Sequence, residues 1–312
     1  MNKYIYLILL ALSSYVTSAQ TFTDGLMMPK GSFCTGFMYS NDKWTKYWEG
    51  ELNRENGNIG TITTQNIMWI GTYGIIDKLN FLVTVPYVKT KASQGTLRGF
   101  EGIQDLTVGL KYNFFAHEFT ASKLKLFGAV SYSTPLTDYT PDYLPLSIGM
   151  GSDKLALRLN GYYRLTQGWF TAVSGGYTLR SNVTMDRPAH YYNGHLVNST
   201  EAFLPNMFDF AASIGYIKGP LQAQVDYMQM NTLGGDDIGR QGMPEVGNRM
   251  NASKMGVTLM YYVPLKALKG LAIRGAYANT VAGRNVGQST TFMAGILYTI
   301  RFIRETETQA IQ

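Results

Sequence analysis

Residues 154–165 read KLALRLNGYYRL. Leu155, Leu157, Leu159 and Leu165 share one parity, and Lys154, Arg158, Asn160 and Arg164 share the other. Side chains of an extended chain point alternately to opposite faces. One face of this strand is therefore apolar and the other cationic, with no turn between them. The apolar face must meet something greasy and the other something wet.

The same alternation recurs along the chain and predicts twelve strands, near 32–40, 61–73, 79–89, 103–114, 123–134, 153–165, 168–181, 207–217, 220–231, 252–263, 271–281 and 290–302. A tilted strand needs ~9–11 residues to cross a bilayer, and most of these segments are long enough. Their apolar parity collects Leu106, Val108, Leu110, Tyr112 and Phe114, then Leu221, Ala223, Val225 and Tyr227. It continues through Met255, Val257, Leu259, Tyr261 and Val263 to Phe292, Ala294, Ile296, Tyr298, Ile300 and Phe302. Aromatics gather at strand ends, as in the girdles of membrane barrels.

The polar parity carries nine basic residues: Lys111, Lys125, Lys154, Arg158, Arg164, Arg180, Lys254, Arg274 and Arg301. It also carries Asp105, Asp209 and Asp226. A basic side chain facing lipid at the bilayer midplane costs about 2–4 kcal/mol, so turning all of them outward would cost on the order of 20 kcal/mol, as much as a domain's whole stability. Leucine belongs outside and arginine inside, and sliding a strand by one residue would reverse both. A soluble barrel with its apolar side inward would share the alternation. The leader, the loop asymmetry and the aromatic ends argue against it.

The connections alternate in length. Those at 74–78, 116–122, 166–167, 218–219 and 264–270 are short. Those at 41–60, 90–102, 135–152, 182–206, 232–251 and 282–289 are mostly longer. Transmembrane barrels have short periplasmic turns and long external loops. The expected fold is thus an all-β, twelve-stranded, up-and-down antiparallel transmembrane barrel in the outer membrane. Residues 1–19, MNKYIYLILLALSSYVTSA, read as a signal peptide with Lys3 as n-region and Tyr4–Leu12 as apolar core. Residues 20–312 form one barrel domain, with strands within about 32–302.

Bulk properties agree. The 312 residues have mean hydropathy −0.09, and only 15% are charged. No run of ~20 apolar residues provides a spanning helix. The formal net charge is +6, yet Lys and Arg are scattered singly, which disfavours nucleic acid as a partner. Expected partners are the bilayer with its outer-leaflet lipid, a small solute and the barrel assembly machinery. Cys34 is the sole cysteine, a small residue inside the first strand, so no internal disulfide forms.

Other chemistry is sparse, and no cofactor or metal is expected. His117 falls in a short turn, and His190 and His195 lie in the long loop 182–206 without strong metal-ligand spacing. GGDDIG at 234–239 offers Asp236 and Asp237 but lacks the rest of a calcium loop. No histidine falls on an expected strand, which disfavours an embedded phospholipid hydrolase. The protein is read as a non-enzyme. In the lumen, Asp105, Lys111, Arg158, Arg164, Arg180, Asp226, Arg274 and Arg301 are the candidate selectivity residues. Unpaired, their surplus of cations favours anions; paired, they prop the wall. Strand adjacency brings Asp209 and Asp226 near Arg180. Trp44, Tyr47 and Trp48 either meet a surface partner or anchor at the outer interface.

Several phrases carry a family resemblance. DGLMMPKGSFCTGFMYS occupies 24–40, LNFLVTVPYV 79–88, GIQDLTVGLKYNFF 102–115 and LKLFGAVSYSTPL 124–136. The most specific is G-x-x-D-L-x-x-G-L-K-Y, from Gly102, Asp105, Leu106, Gly109, Leu110, Lys111 and Tyr112. Over about residues 22–302 the chain resembles the outer-membrane barrel family named after the meta-pathway of phenol degradation. The resemblance implies an outer-membrane channel or transporter for small hydrophobic or aromatic solutes, whereas an anionic solute is what the basic lumen favours, and the resemblance assigns no binding residues. Phe302 closes the last strand but is followed by IRETETQAIQ, a departure from barrels that end on their final aromatic residue. The alternative is a closed scaffold whose loops 41–60, 182–206 and 232–251 bind a partner.

Overall fold

Hydrogen-bond satisfaction dictates the architecture. A strand in hydrocarbon has no water to pair its backbone groups, so the sheet must close on itself. The computed structural model describes residues 21–239 and 244–302 and shows such a closure. The expected signal peptide, residues 1–19, and residues 303–312 lie outside the described residues. Twelve long strands form the wall: β1 Ser32–Trp44, β2 Ile62–Ile76, β3 Leu79–Ala92, β4 Asp105–Phe119, β5 Ser122–Pro135 and β6 Lys154–Leu165. They continue as β7 Trp169–Arg180, β8 Met207–Lys218, β9 Leu221–Thr232, β10 Asn251–Tyr262, β11 Leu271–Arg284 and β12 Thr290–Arg301. Each pairs antiparallel with its sequence neighbour, and β12 pairs β1 from Ser32↔Arg301 to Lys43↔Thr290, which leaves no edge.

The strands reach 12–15 residues, and several outrun the segments that alternation predicts, as β1 does at the outer rim and β4 at the short-turn end. Turns at one end are tight, such as Asp77–Lys78 and Gly219–Pro220, and Gly219 has φ +56° where the chain reverses. The opposite end carries all the long loops.

The face assignment holds throughout. Leu157, Leu159, Val225, Leu259 and Ile296 stand exposed on the outside, while Asn160, Thr258 and Ser174 are buried within. In β4 the register shifts between Asn113 and Phe115, so Phe114 and Phe115 both face outward. This bulge extends the strand through His117, which sequence alone placed in a turn. His117 sits between Phe115, with centroids 6.3 Å apart, and Phe119, at 4.5 Å. Its ring joins the aromatic girdle at the short-turn end, where Trp169 and Tyr216 also meet at 5.0 Å.

Candidate functional site

The lumen is occupied by the chain itself. Residues 21–31 enter from the short-turn end, where the Lys30 amide donates to Asp77 Oδ1 at 2.9 Å and the Gly31 amide to the Gly74 carbonyl at 2.8 Å. Asn80 Nδ2 then donates to the Met28 carbonyl at 3.1 Å, and Asn160 Nδ2 to the Phe22 carbonyl at 2.9 Å. Met28 packs in an internal apolar cluster with Cys34, Met38, Met260, Ala272 and Leu297, which is where the sole cysteine is buried. Two glycines permit the close approach. A Cβ on Gly25 would lie 2.1 Å from the Tyr162 ring, and one on Gly109 would lie 2.6 Å from Phe22.

Lys111 anchors this segment. Its ammonium is wholly buried and donates to Asp24 Oδ1 at 2.9 Å, the Asp24 carbonyl at 2.5 Å and the Thr21 carbonyl at 2.9 Å. It also lies 5.1 Å from the centroid of the Phe127 ring. Asp24 holds its own loop, accepting from the Leu26 amide at 3.0 Å and Thr21 Oγ1 at 2.9 Å. Alternation located Lys111 inside. Its partner lies in a segment with no periodicity, so pattern reasoning missed Asp24.

The segment leans on the β3–β6 wall and leaves a cavity of about 410 Å³ against β7–β12. Asp226 lines it and accepts from Ser213 Oγ, Gln224 Nε2 and Thr258 Oγ1, each at 2.6 Å. All three are neutral donors, and among the described residues Asp226 forms no ion pair. Arg274 lines the same cavity, and its Nε is buried without a hydrogen-bond partner among the described residues. Met228, Met260, Met293 and Phe170 supply adaptable apolar surface.

The remaining candidates divide by height. Near the outer mouth Lys154 donates to Asp105 Oδ2 at 2.5 Å, and Arg158 pairs with Asp209 at 2.7 Å. Lys254 reaches Asp42 at 3.5 Å and Ser289 at 3.1 Å. Asp209 thus serves Arg158 and not Arg180, because Gly176, opposite both Arg158 and Asp209 in the ladders, leaves room for the guanidinium. Arg180 instead approaches the Pro205 carbonyl at 3.4 Å. Arg164 sits at the short-turn end opposite Lys123, and Arg301 lies exposed at the same rim. The outer half of the lumen is therefore cross-braced. Among the described residues, Arg274 on the cavity has no ion-pair partner.

Long loops cover the mouth. Tyr139 reaches down and donates its hydroxyl to Asp105, joining loop 136–153 to the Lys154 pair. Burial, and then that carboxylate, push the Tyr139 phenol above its ordinary range, so it stays a donor. Arg187 bridges loops by pairing with Asp142 at 3.1 Å and Glu245 at 3.2 Å. Beneath it Val183, Met185, Ala202, Leu204 and Val246 form a small apolar core. Trp48 is buried over Gly283, Trp44 lies on Gly287, and Tyr47 contacts Trp44 at 6.2 Å between centroids. These aromatics fasten loop 45–61 to the β11–β12 connection. His190 and His195 stand on a short hairpin, with His190 Nδ1 3.1 Å from the Ser199 carbonyl. Among the described residues no group of three metal-ligating side chains occurs.

Asp236 and Asp237 act as loop staples. Asp237 accepts from Arg284 at 2.7 and 2.8 Å and from Asn285 at 2.7 Å. The Arg284 hydrogen bond comes first in holding the Asp237 carboxyl below its ordinary range. A carboxyl depressed in the fold stabilises above its unfolded pKa, and loses that contribution as pH falls through the folded value. Protection factors, taken relative to intrinsic exchange, are therefore expected to fall around 236–238 and 284–286 below the usual carboxylate range. Asp237→Asn should exchange fast at neutral pH and lose the dependence. An unchanged pH profile in Asp237→Asn would remove the staple from the account.

A closed twelve-stranded barrel, apolar outside and charged within, with short turns at one end and folded loops at the other, is an outer-membrane β-barrel. No family model and no curated relative matches the chain. Among solved structures it is similar to the COG4313 outer membrane channel from Pseudomonas putida F1. The identity is 13% over 91% of this chain and 100% of that one, with TM-score 0.73. It is also similar to the beta domain of the Bordetella autotransporter Brka, at 13% identity, 86% and 99% coverage and TM-score 0.45. The NanC porin follows at 7% identity, 84% and 98% coverage and TM-score 0.42. The first likeness establishes the fold.

Proposed function

We propose that this barrel is an outer-membrane channel for small solutes, and that residues 21–27 close its conduction path. One observation carries the reading: a 410 Å³ cavity lies inside the closed wall, bounded on one side by a segment held through a few polar contacts. The solute would be a small anion with an apolar body. Among the described residues the Arg274 guanidinium has no carboxylate partner, and the methionines and Phe170 accommodate the rest. The channel-type structural neighbour and the sequence resemblance to the phenol meta-pathway family support the channel reading. Lys111 and Asp24 position the closing segment; Asp105, Arg158 and Arg180 shape the outer lumen; Asp226 and Arg274 meet the solute; Arg164 and Arg301 place positive charge at the inner rim.

Planar bilayers test this directly. The wild type is expected to conduct with a preference for anions, and Arg274→Glu is expected to reverse or abolish that preference. Removing the neutral pair whole, as Arg158→Gln/Asp209→Asn, should leave selectivity nearly unchanged. An unchanged reversal potential in Arg274→Glu would discard the solute site, and absent conductance or flux in both the wild type and Asp24→Ala would discard the channel. The interlocked loops favour a second reading, a closed scaffold that binds at its mouth. Absent conductance together with binding to the loop face would select it.

A further inference from the structure

We propose that the outward face of β1–β3 at the outer rim docks the phosphates of an outer-leaflet lipid. The sequence continues the lipid-facing parity of these strands past the belt into cations. Register places Lys43 opposite Thr63 and Thr63 opposite Lys91, so the three form one row across the strands. One step lower, Asn41, Gln65 and Lys89 form a second row. Strands lie about 4.8 Å apart, which puts the backbones of Lys43 and Lys91 about 10 Å apart and Lys89 roughly 7 Å below Lys91. Two phosphates on one sugar headgroup are spaced to meet such a triangle.

The height fits as well. Phe37, Ile67 and Tyr87 stand exposed just beneath these rows. The Tyr39 hydroxyl accepts from Gln65 Nε2 at 2.9 Å and Asn41 Nδ2 at 3.3 Å, so polar pairing begins there. From Leu79 to Tyr87 a strand tilted by about 40° rises roughly 20 Å, close to the ~25 Å apolar band of such barrels. Lys89 and Lys91 therefore emerge at headgroup level, and Arg98 lies exposed in the loop that follows.

The charges are available. Among the described residues Lys43, Lys91 and Arg98 form no ion pair, while Lys89 meets the one nearby carboxylate, Glu101, at 2.5 Å. At the outer end of β11, by contrast, Arg284 is neutralised by Glu51 and Asp237. Basic residues near a charged membrane surface attract anionic headgroups. The placement depends on which end of the barrel faces out, and not on whether the lumen conducts.

Native mass spectrometry with bis-phosphorylated lipid A tests the patch on the full barrel in detergent. The wild type is expected to retain the lipid. Lys43→Gln/Lys91→Gln/Arg98→Gln should lower the bound fraction at least fivefold. Lys78→Gln/Lys123→Gln/Lys266→Gln, which removes equal charge at the opposite end, should leave it unchanged. Heat-modifiable gel mobility confirms that each variant is folded. Dephosphorylated lipid A should bind no better than the outer variant. Equal retention in wild type and outer variant, equal loss in both variants, or displacement by inorganic phosphate at the same concentration would overturn the proposal.

Discussion

Asp24→Ala is expected to open the barrel. In the native lumen the Lys111 ammonium is wholly buried, and among the described residues its one ionic partner is Asp24, with two carbonyls beside it. Removing one member of a buried pair leaves an uncompensated charge and costs about 3–5 kcal/mol. Withdrawal of residues 21–27 readmits water to Lys111, so the cost is relieved by displacing the segment while the wall stays intact. About 3 kcal/mol shifts such an equilibrium roughly a hundredfold. Single-channel recording should show long open dwells in Asp24→Ala where the wild type is mostly closed. Lys111→Met should act more weakly, because it leaves an apolar side chain against the segment and a carboxylate that water already reaches. If both variants keep wild-type dwell times, the segment is not the closure.

Leu157→Arg is expected to destabilise the folded barrel by about 2–4 kcal/mol, measured by urea unfolding in liposomes. Leu157 stands 55% exposed at mid-strand, between Val130 and Tyr177 on the neighbouring strands. Leu196 is 59% exposed on the loop hairpin His195–Val197. The two are nearly equal in accessible surface and differ in the solvent they meet. Leu196→Arg should therefore change stability by no more than about 0.5 kcal/mol, as surface substitutions in water do. Equal effects at the two positions would mean that the leucine face of β6 does not contact hydrocarbon.

Much of this was legible without coordinates, and the reason is magnitude. Each strand faces two solvents, and a misplaced Arg158 or Leu157 costs kilocalories, so period-2 alternation had to be written into every segment. The strand set, the faces and the end carrying long loops follow from that one constraint. Where one residue of bulge changed the parity, as at Phe114 and Phe115, alternation alone stopped β4 short and put His117 in a turn. The candidate site was legible only by halves. Lys111, Arg158 and Arg274 could be placed inside, but their partners could not be named.

Partners depend on height around a tilted wall, on gaps such as Gly176, and on segments with no period at all. The sequence by itself determined a transmembrane barrel with a basic interior, because lipid enforces its rule at every second residue. Only the tertiary structure decided that Asp24 and not a wall carboxylate satisfies Lys111, that Asp209 takes Arg158, and that Arg274 is left facing a cavity. Those pairings are set by distances of 2.7 to 2.9 Å between groups far apart in the chain, which no local pattern encodes.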